Sequence, residues 1–137
     1  PIINRVATGE YKYLTIFGDD WPTPDGTCIR DYIHVMDLAK AHAATLEYLF
    51  ENKPQIINLN IGTGKGTSIL ELVRDFESAN DCIIPYKFSG RREGDVSRLV
   101  ADNKLALSLL DWVPVRNISD MCKDGYHWQR MGQFFNK

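Results

Sequence analysis

The sequence predicts an α/β protein with a small mixed sheet and about four helices. Apolar residues recur at steps of three and four in four segments, which is the helical pattern. Short apolar runs bounded by glycine and proline lie between those segments and indicate strands. The chain has 137 residues, 44% of them hydrophobic, so it is long enough for one domain, residues 1–137, with its own core.

The clearest predicted helix covers residues 35–51. Its apolar positions repeat along one face, which we expect to be buried: Val35, Leu38, Ala39, His42, Leu46, Leu49 and Phe50. This placement makes His42 a core histidine.

Three further helices follow from the same periodicity. One begins at Ser68, where Glu71 has the spacing of a capping box. A short helix is predicted over residues 104–110, and the last over residues 119–130.

Two strands are predicted with distinct patterns. Residues 14–17 form an apolar run that ends at Gly18, and residues 56–61 are apolar on both faces apart from two asparagines. A run of the second kind is typical of a strand inside a covered parallel sheet. Because the chain offers it few neighbours, we expect those neighbours in a longer protein, N-terminal to this segment. Shorter candidate strands are residues 32–33, 83–88 and 98–101.

Composition excludes several classes of function. A net charge of −2 argues against general nucleic-acid binding, which needs a basic surface. No apolar run is long enough to cross a bilayer, so no membrane segment is expected. The three cysteines are widely spaced, which favours reduced thiols in the cytoplasm over disulfides or a metal site. The chain starts with proline rather than methionine, which indicates a piece of something longer.

Residues 60–68 form a glycine-rich turn between the predicted strand 56–61 and the second helix. Such turns can wrap phosphates. This one fails as a Walker A loop, because Lys65 is followed by Gly66, and it fails as G-x-G-x-x-G, because position 67 is threonine. We therefore expect a plain turn and no cofactor site in this chain.

Two arginine-containing motifs carry the functional prediction: Arg-Asp-Tyr-Ile-His-Val at residues 30–35 and Arg-Arg-Glu-Gly-Asp at residues 91–95. The planar guanidinium fork is the side chain best suited to hold a phosphate. Arg30 and Arg92 together predict a diphosphate site. The alternative is that they are solvated charges, or partners of Asp31 and Glu93.

Two neighbours of these arginines have open roles. Tyr32 could add a hydroxyl contact or belong to the core. Asp95 follows a glycine and could accept hydrogen bonds from sugar hydroxyls, or cap the turn at residues 91–92.

No catalytic residue is predicted. His34, His42 and His127 are candidates by residue type alone, and none has a nucleophile or orienting partner in a recognisable pattern. The sequence therefore predicts the binding half of an enzyme.

Four ordered motifs resemble the C-terminal part of the UDP-glucose 4-epimerase family, in the extended short-chain dehydrogenase/reductase superfamily. They are IFGDDWPTPDGT at 16–27, RDYIHVMDLA at 30–39, NLNIGTG at 58–64 and RREGD at 91–95. The resemblance covers essentially all 137 residues and ends in YHWQ at 126–129.

The resemblance implies an NAD-dependent isomerase whose N-terminal Rossmann part is absent here. That part would bind NAD and supply a Tyr-x-x-x-Lys pair. In the family, the tyrosinate takes the proton of the sugar 4-hydroxyl while hydride moves to NAD; the keto sugar turns over and hydride returns. The C-terminal part holds the UDP end of the UDP-sugar substrate, so this chain alone would be inactive. Whether the complete enzyme is a homodimer stays open.

By position in the family's motifs, the resemblance implies that Thr15 and Phe17 line the uracil site, largely through backbone contacts. It implies that Arg30 and Arg92 hold the diphosphate, with Tyr32 beside them.

Three further positions complete the implied substrate site. Ile69 would pack near the nucleotide, and Asp95 would take a ribose hydroxyl. Leu99 stands where bacterial members commonly place tyrosine near the sugar, so the accepted sugar stays open.

The sequence is also compatible with other functions. Another nucleotide-sugar epimerase, dehydratase or decarboxylase would keep the fold and change the chemistry. A nucleotide-sugar-binding module without catalysis and a purely structural remnant are the others.

Overall fold

A computed structural model describes residues 1–135, so the last two residues of the predicted domain lie outside it. The described chain contains both helices and strands, which confirms the α/β class. In chain order the elements are α1 (Ile2–Ala7), β1 (Leu14–Phe17), β2 (Ile29–Arg30), α2 (Val35–Glu51), β3 (Thr67–Ser68), α3 (Ile69–Asn80), β4 (Tyr86–Ser89), β5 (Arg98–Leu99), α4 (Lys104–Leu109) and α5 (Ile118–Phe135).

The strands form two small sheets rather than the single mixed sheet that the sequence predicted. β1 pairs with β4 in parallel, with Leu14 opposite Tyr86 and Phe17 opposite Ser89. The second sheet has the order β3-β2-β5, in which β2 is antiparallel to β3 and parallel to β5. The three shorter predicted strands are displaced or trimmed: the structure has 29–30, 86–89 and 98–99 in their places.

Two clusters of buried side chains form the core. The first lies where α3 packs against α5 and α1, and its fully buried members include Val73, Phe76 and Ile84. The ring of Phe76 meets Tyr126 of α5 edge to face, with centroids 5.7 Å apart. The second cluster lies between α2 and α4: Ala41, Ala106, Leu110 and Trp112.

The helix predictions are mostly confirmed. α2 has the predicted limits, and α4 ends one residue early. The capping box of α3 is complete: the Ser68 hydroxyl accepts from the Glu71 N–H at 3.1 Å, and the Ser68 N–H donates to the Glu71 carboxylate at 2.7 Å. α5 is longer than predicted, and α1 was not predicted. No described helix is both long and apolar enough to span a bilayer.

The predicted buried face of α2 is wrong at five of its seven positions, which are exposed, while Leu38 and Leu49 are half-buried. Phe50 is 86% exposed, Val35 68% and Leu46 56%, while Ala41 on the opposite side is fully buried. His42 is exposed rather than in the core, and its Nδ1 lies 2.8 Å from the Leu38 carbonyl oxygen. The exposed positions form one line along the helix, named here the α2 stripe: Val35, Ala39, Ala43, Leu46 and Phe50.

The predicted strand at residues 56–61 is also wrong for this chain, because the described residues supply no neighbour to pair with it. Ile56 is 95% exposed. Leu59 and Ile61 pack on the second core cluster. The segment is therefore covered on one side by α2 and α4 residues and forms no ladder with another strand.

Asp37 in the first turn of α2 ties that helix to the segment before α5. Its carboxylate is 1% exposed and accepts from the N–H groups of Val115 and Arg116, at 3.0 and 2.8 Å, and from the Arg116 guanidinium. Burial acts to raise the pKa of Asp37, but these donors outweigh it and leave the pKa below its ordinary value.

We predict that Asp37→Asn lowers the free energy of unfolding by about 1.5–3 kcal/mol, because the buried N–H donors and the guanidinium lose their anionic partner. The folded pKa is lower than the unfolded one, so the stabilisation is complete above the unfolded pKa of about 4 and is lost as pH falls through the folded value. Urea unfolding between pH 3 and 7 should show a smaller loss of stability on acidification in the variant. The exposed Asp111→Asn is the matched control; equal acid sensitivity in the Asp37 variant and the wild type would contradict the assignment.

Candidate functional site

The side chains of Arg30 and Arg92 converge on one carboxylate. Oδ1 of Asp95 lies 3.0 Å from a guanidinium nitrogen of Arg92 and 3.6 Å from one of Arg30. Both arginines therefore pair with Asp95, and not with Asp31 or Glu93, the partners that the sequence suggested. The residues come from β2 and from the turn before β5, which are far apart in the chain.

Backbone contacts fix this arrangement. Arg30 donates to the carbonyl oxygens of Ile29 and Val96, both at 2.9 Å. The Asp95 N–H donates to the Arg92 carbonyl at 3.2 Å, and Gly94 within that turn has φ +82°. The turn thus places Arg92 and Asp95 side by side.

Two guanidinium groups and one carboxylate leave this cluster with one net positive charge. The Arg92 hydrogen bond, aided by the charges of both arginines, holds the pKa of Asp95 below its ordinary value despite partial burial. The Arg92 side chain is 63% exposed, whereas those of Arg30 and Asp95 are 23% and 15% exposed. An anion can therefore reach Arg92 directly.

The adjacent arginines have different surroundings. Arg92 lies over the ring of Phe17, with 5.3 Å between its guanidinium carbon and the centroid. Arg91 points to the loop after β1, where it bonds Asp20 at 2.7 Å and lies 4.1 Å above the Trp21 ring. Arg92 is therefore the one of the pair that faces the Asp95 cluster.

One edge of β1 is open. The Leu14 N–H donates to the carbonyl of Pro85, just before β4, and the Gly18 N–H donates to the carbonyl of Ser89 in β4, each at 2.8 Å. Successive residues of a strand direct their backbone groups to opposite sides. The N–H and C=O groups of Thr15 and Phe17 therefore point away from β4, to an edge on which the described residues place no strand. Thr15 and Phe17 can thus offer backbone donors and acceptors to a ligand.

Tyr32 is a half-buried residue two positions beyond Arg30. Burial raises its pKa to about 12, against the opposing effect of the Arg30 charge. The hydroxyl therefore stays neutral at physiological pH and can donate a hydrogen bond. Tyr32 also lines a largely apolar cleft of about 750 Å³ between the start of α2 and α5.

The remaining predicted site residues flank β2. Leu99 of β5 pairs directly with Arg30 and is 63% exposed. Ile69 opens α3, and its N–H donates to the Cys28 carbonyl at 3.2 Å. The structure thus brings the predicted residues into one region, around β1, β2 and the turn at 92–95; their roles toward a ligand stay predictions.

Asp31 is an organising residue that sequence reasoning missed. Its carboxylate accepts from the N–H groups of Thr63 and Gly64 at 2.9 Å, and from that of Ala101 at 3.3 Å. A Cβ on Gly62 would lie 2.6 Å from its Oδ2, so only glycine fits there. The glycine-rich turn is therefore folded around a carboxylate of its own chain, which supports the rejection of a phosphate site at this turn.

His34 has a partner that the sequence did not reveal. Its Nδ1 accepts from the Met36 N–H at 3.1 Å and caps α2, so Nε2 carries the proton that Asp124 accepts at 3.0 Å. The pair links α2 to α5. Its evident role is therefore structural, and no described group of three His, Cys, Asp or Glu residues is placed to hold a metal.

The chain is similar to known proteins over most of its length. The sequence model of the family described as GDP-mannose 4,6 dehydratase matches residues 1–125. A UDP-glucose 4-epimerase of Dictyostelium discoideum is 44% identical over 96% of this chain. A crystal structure of the Stenotrophomonas maltophila UDP-glucose 4-epimerase with NAD and formylated UDP-arabinopyranose superposes with a TM-score of 0.94, at 44% identity over 97% of the chain. The Bifidobacterium longum enzyme, in complex with NAD⁺ and UDP, gives 0.90 at 40% identity over 96%.

The chain spans 38–39% of the length of these relatives. It matches their C-terminal portion. The chain therefore belongs to the family described as GDP-mannose 4,6 dehydratase, within which it is similar to the C-terminal portion of UDP-glucose 4-epimerases.

Proposed function

We propose that the chain is the UDP-sugar-binding domain of a UDP-glucose 4-epimerase, which interconverts UDP-glucose and UDP-galactose by transient NAD-dependent oxidation of the sugar 4-hydroxyl. The observation that carries the proposal is the convergence of Arg30 and Arg92 on Asp95, beside the exposed ring of Phe17. Two guanidinium groups held close together can donate hydrogen bonds to a diphosphate. An aromatic ring next to them can stack on a nucleotide base.

Each predicted site residue is proposed to contact one part of the UDP-sugar. Arg30 and Arg92 bind the diphosphate, and the neutral Tyr32 hydroxyl donates to it. The open backbone edge at Thr15 and Phe17 binds uracil.

The other side of β2 completes the proposed site. Ile69 packs near the nucleotide and Asp95 accepts a ribose hydroxyl. Leu99 is proposed to face the sugar end of the ligand; its exposure beside Arg30 supports this placement. An apolar leucine there leaves another nucleotide-sugar epimerase, dehydratase or decarboxylase as the alternative function.

The hydride chemistry is proposed to come from an N-terminal NAD-binding segment outside this chain. Two surfaces support such a partner: the exposed α2 stripe and the unpaired residues 56–61. An apolar helix face beside an unpaired extended segment suits packing against a further parallel sheet. The complete enzyme would act in galactose metabolism in the cytoplasm.

We predict that Arg92→Ala raises the dissociation constant of UDP about tenfold or more in the full-length gene product, because one charge-assisted fork to the diphosphate is lost. Isothermal titration calorimetry measures the constant. Arg92→Lys keeps the charge without the planar fork and should give an intermediate value.

Arg130→Ala is the control for this experiment, since it removes an arginine side chain that stacks on Tyr126 of α5. It should leave UDP binding unchanged. An unchanged constant for Arg92→Ala would remove that residue from the site.

We predict that the purified 137-residue chain shows no conversion of UDP-galactose with added NAD, because its described residues offer no catalytic base for the sugar hydroxyl. A coupled assay for UDP-glucose measures the conversion, and the full-length gene product is the positive control. Turnover by the 137-residue chain alone would refute the proposal that an N-terminal segment supplies the catalytic groups.

We predict that replacing Leu46 and Phe50 together with glutamine destabilises the full-length gene product and leaves the 137-residue chain nearly unchanged. Both side chains are exposed here and would be covered only by the N-terminal segment. Thermal unfolding of both proteins measures the contrast, with Glu47→Gln as the control on the same helix. Equal shifts in the two proteins would show that the α2 stripe contacts no such segment.

A further inference from the structure

The loop after β1 reaches back to the strand through a tryptophan. Nε1 of Trp21 donates to the carbonyl oxygen of Phe17 at 3.1 Å. That carbonyl belongs to the open edge of β1 and has a second lone pair available for a ligand donor. The indole therefore contacts one acceptor of this edge directly.

Trp21 is itself held from two sides. The guanidinium of Arg91 lies 4.1 Å above its ring, and the same guanidinium bonds the Asp20 carboxylate and the Asp20 carbonyl, each at 2.7 Å. The backbone N–H of Trp21 donates to the carbonyl oxygen of Gly26 at 3.0 Å.

The fit at the base of this loop is close. Gly18 has φ +84°, and a Cβ there would lie 2.3 Å from Nε1 of Trp21. Any side chain at position 18 would therefore displace the indole of Trp21. The ring position is therefore set by the backbone as well as by Arg91.

We propose that Trp21, held by Arg91 and Asp20, is a positioning residue for base selectivity: it orients the Phe17 carbonyl so that the edge of β1 accepts uracil in preference to cytosine. This inference rests on the proposed nucleotide site. It assigns Arg91 to the base end of the site, whereas its neighbour Arg92 serves the diphosphate end.

The chemistry of the two pyrimidines makes carbonyl direction decisive. Uracil presents the N3–H donor beside the O4 acceptor. Cytosine presents the N4 amino donor beside the N3 acceptor, so the donor and the acceptor occupy exchanged positions relative to uracil. The N–H and C=O groups of Phe17 can pair with either pattern if they are free to shift. A fixed carbonyl matches only one of them, and the mismatched base leaves a polar group unpaired.

The test compares dissociation constants of UDP and CDP for the full-length gene product by isothermal titration calorimetry. Trp21→Phe keeps an aromatic ring under Arg91 and removes the N–H donor. We expect it to lower the ratio of the CDP constant to the UDP constant about three- to tenfold, the effect of one hydrogen bond. Arg92→Ala should weaken both ligands equally and keep the ratio, because the diphosphate is common to them. Trp128→Phe, an exposed indole on α5, is the matched control.

The titrations give different results if the role of Trp21 is wrong and if the proposed function is wrong. UDP binding with an unchanged ratio in Trp21→Phe overturns the inference alone, while failure of the wild type to bind UDP overturns the proposed function beneath it. If Trp21→Phe does not fold, Arg91→Gln provides the same measurement, since it releases the indole and Asp20 without changing the ring. A ratio unchanged in that variant also overturns the inference.

Discussion

The Asp95 carboxylate holds two guanidinium groups near one oxygen atom, and the proposed nucleotide site depends on that placement. Like charges at this distance repel each other unless an anion lies between them. Asp95 supplies the anion in the unbound protein, so Arg30 and Arg92 are already gathered before a diphosphate arrives. A ligand anion meets a formed cluster with one net positive charge, and less ordering free energy opposes binding.

Aspartates anchor several irregular segments of the fold. Asp31 folds the glycine-rich turn, and Asp37 joins α2 to the segment before α5. Asp25 accepts from the Thr27 N–H at 2.9 Å and also from the Ser68 hydroxyl, which links the loop after β1 to the start of α3. Several backbone N–H groups outside helices and sheets are thus paired with buried or half-buried carboxylates. The strands near the site are short, so these hydrogen bonds help to fix the loops around it.

The molecule has two kinds of surface with different uses. The edge of β1 and the Asp95 cluster are polar and suit a nucleotide diphosphate. The α2 stripe and residues 56–61 are apolar or unpaired and suit another protein segment. The start of α2 borders the cleft beside Tyr32, and its exposed face carries the stripe. Docking of the proposed partner segment would therefore cover the helix that begins at this cleft.

Local patterns in the sequence determined the elements whose stability is local. The limits of α2, the capping box of α3 and the β1 run were predicted correctly, because helical periodicity, cap chemistry and a glycine stop act over a few residues. The two arginine motifs were found for the same reason, since the preference of guanidinium for phosphate belongs to the side chain. Which arginine faces Asp95 and which faces Trp21 was decided only in three dimensions.

Tertiary structure alone decided what depends on distant partners. Residues 56–61 have the composition of a strand, but a strand exists only where another backbone pairs with it. The apolar line on α2 indicated a buried face, yet periodicity says only that a face is apolar and not which neighbour covers it. Pairing of Arg30 with Asp95 and folding of residues 62–64 around Asp31 join segments more than 30 positions apart. Such contacts leave no local signal, because their free energy comes from groups that only the folded chain brings together.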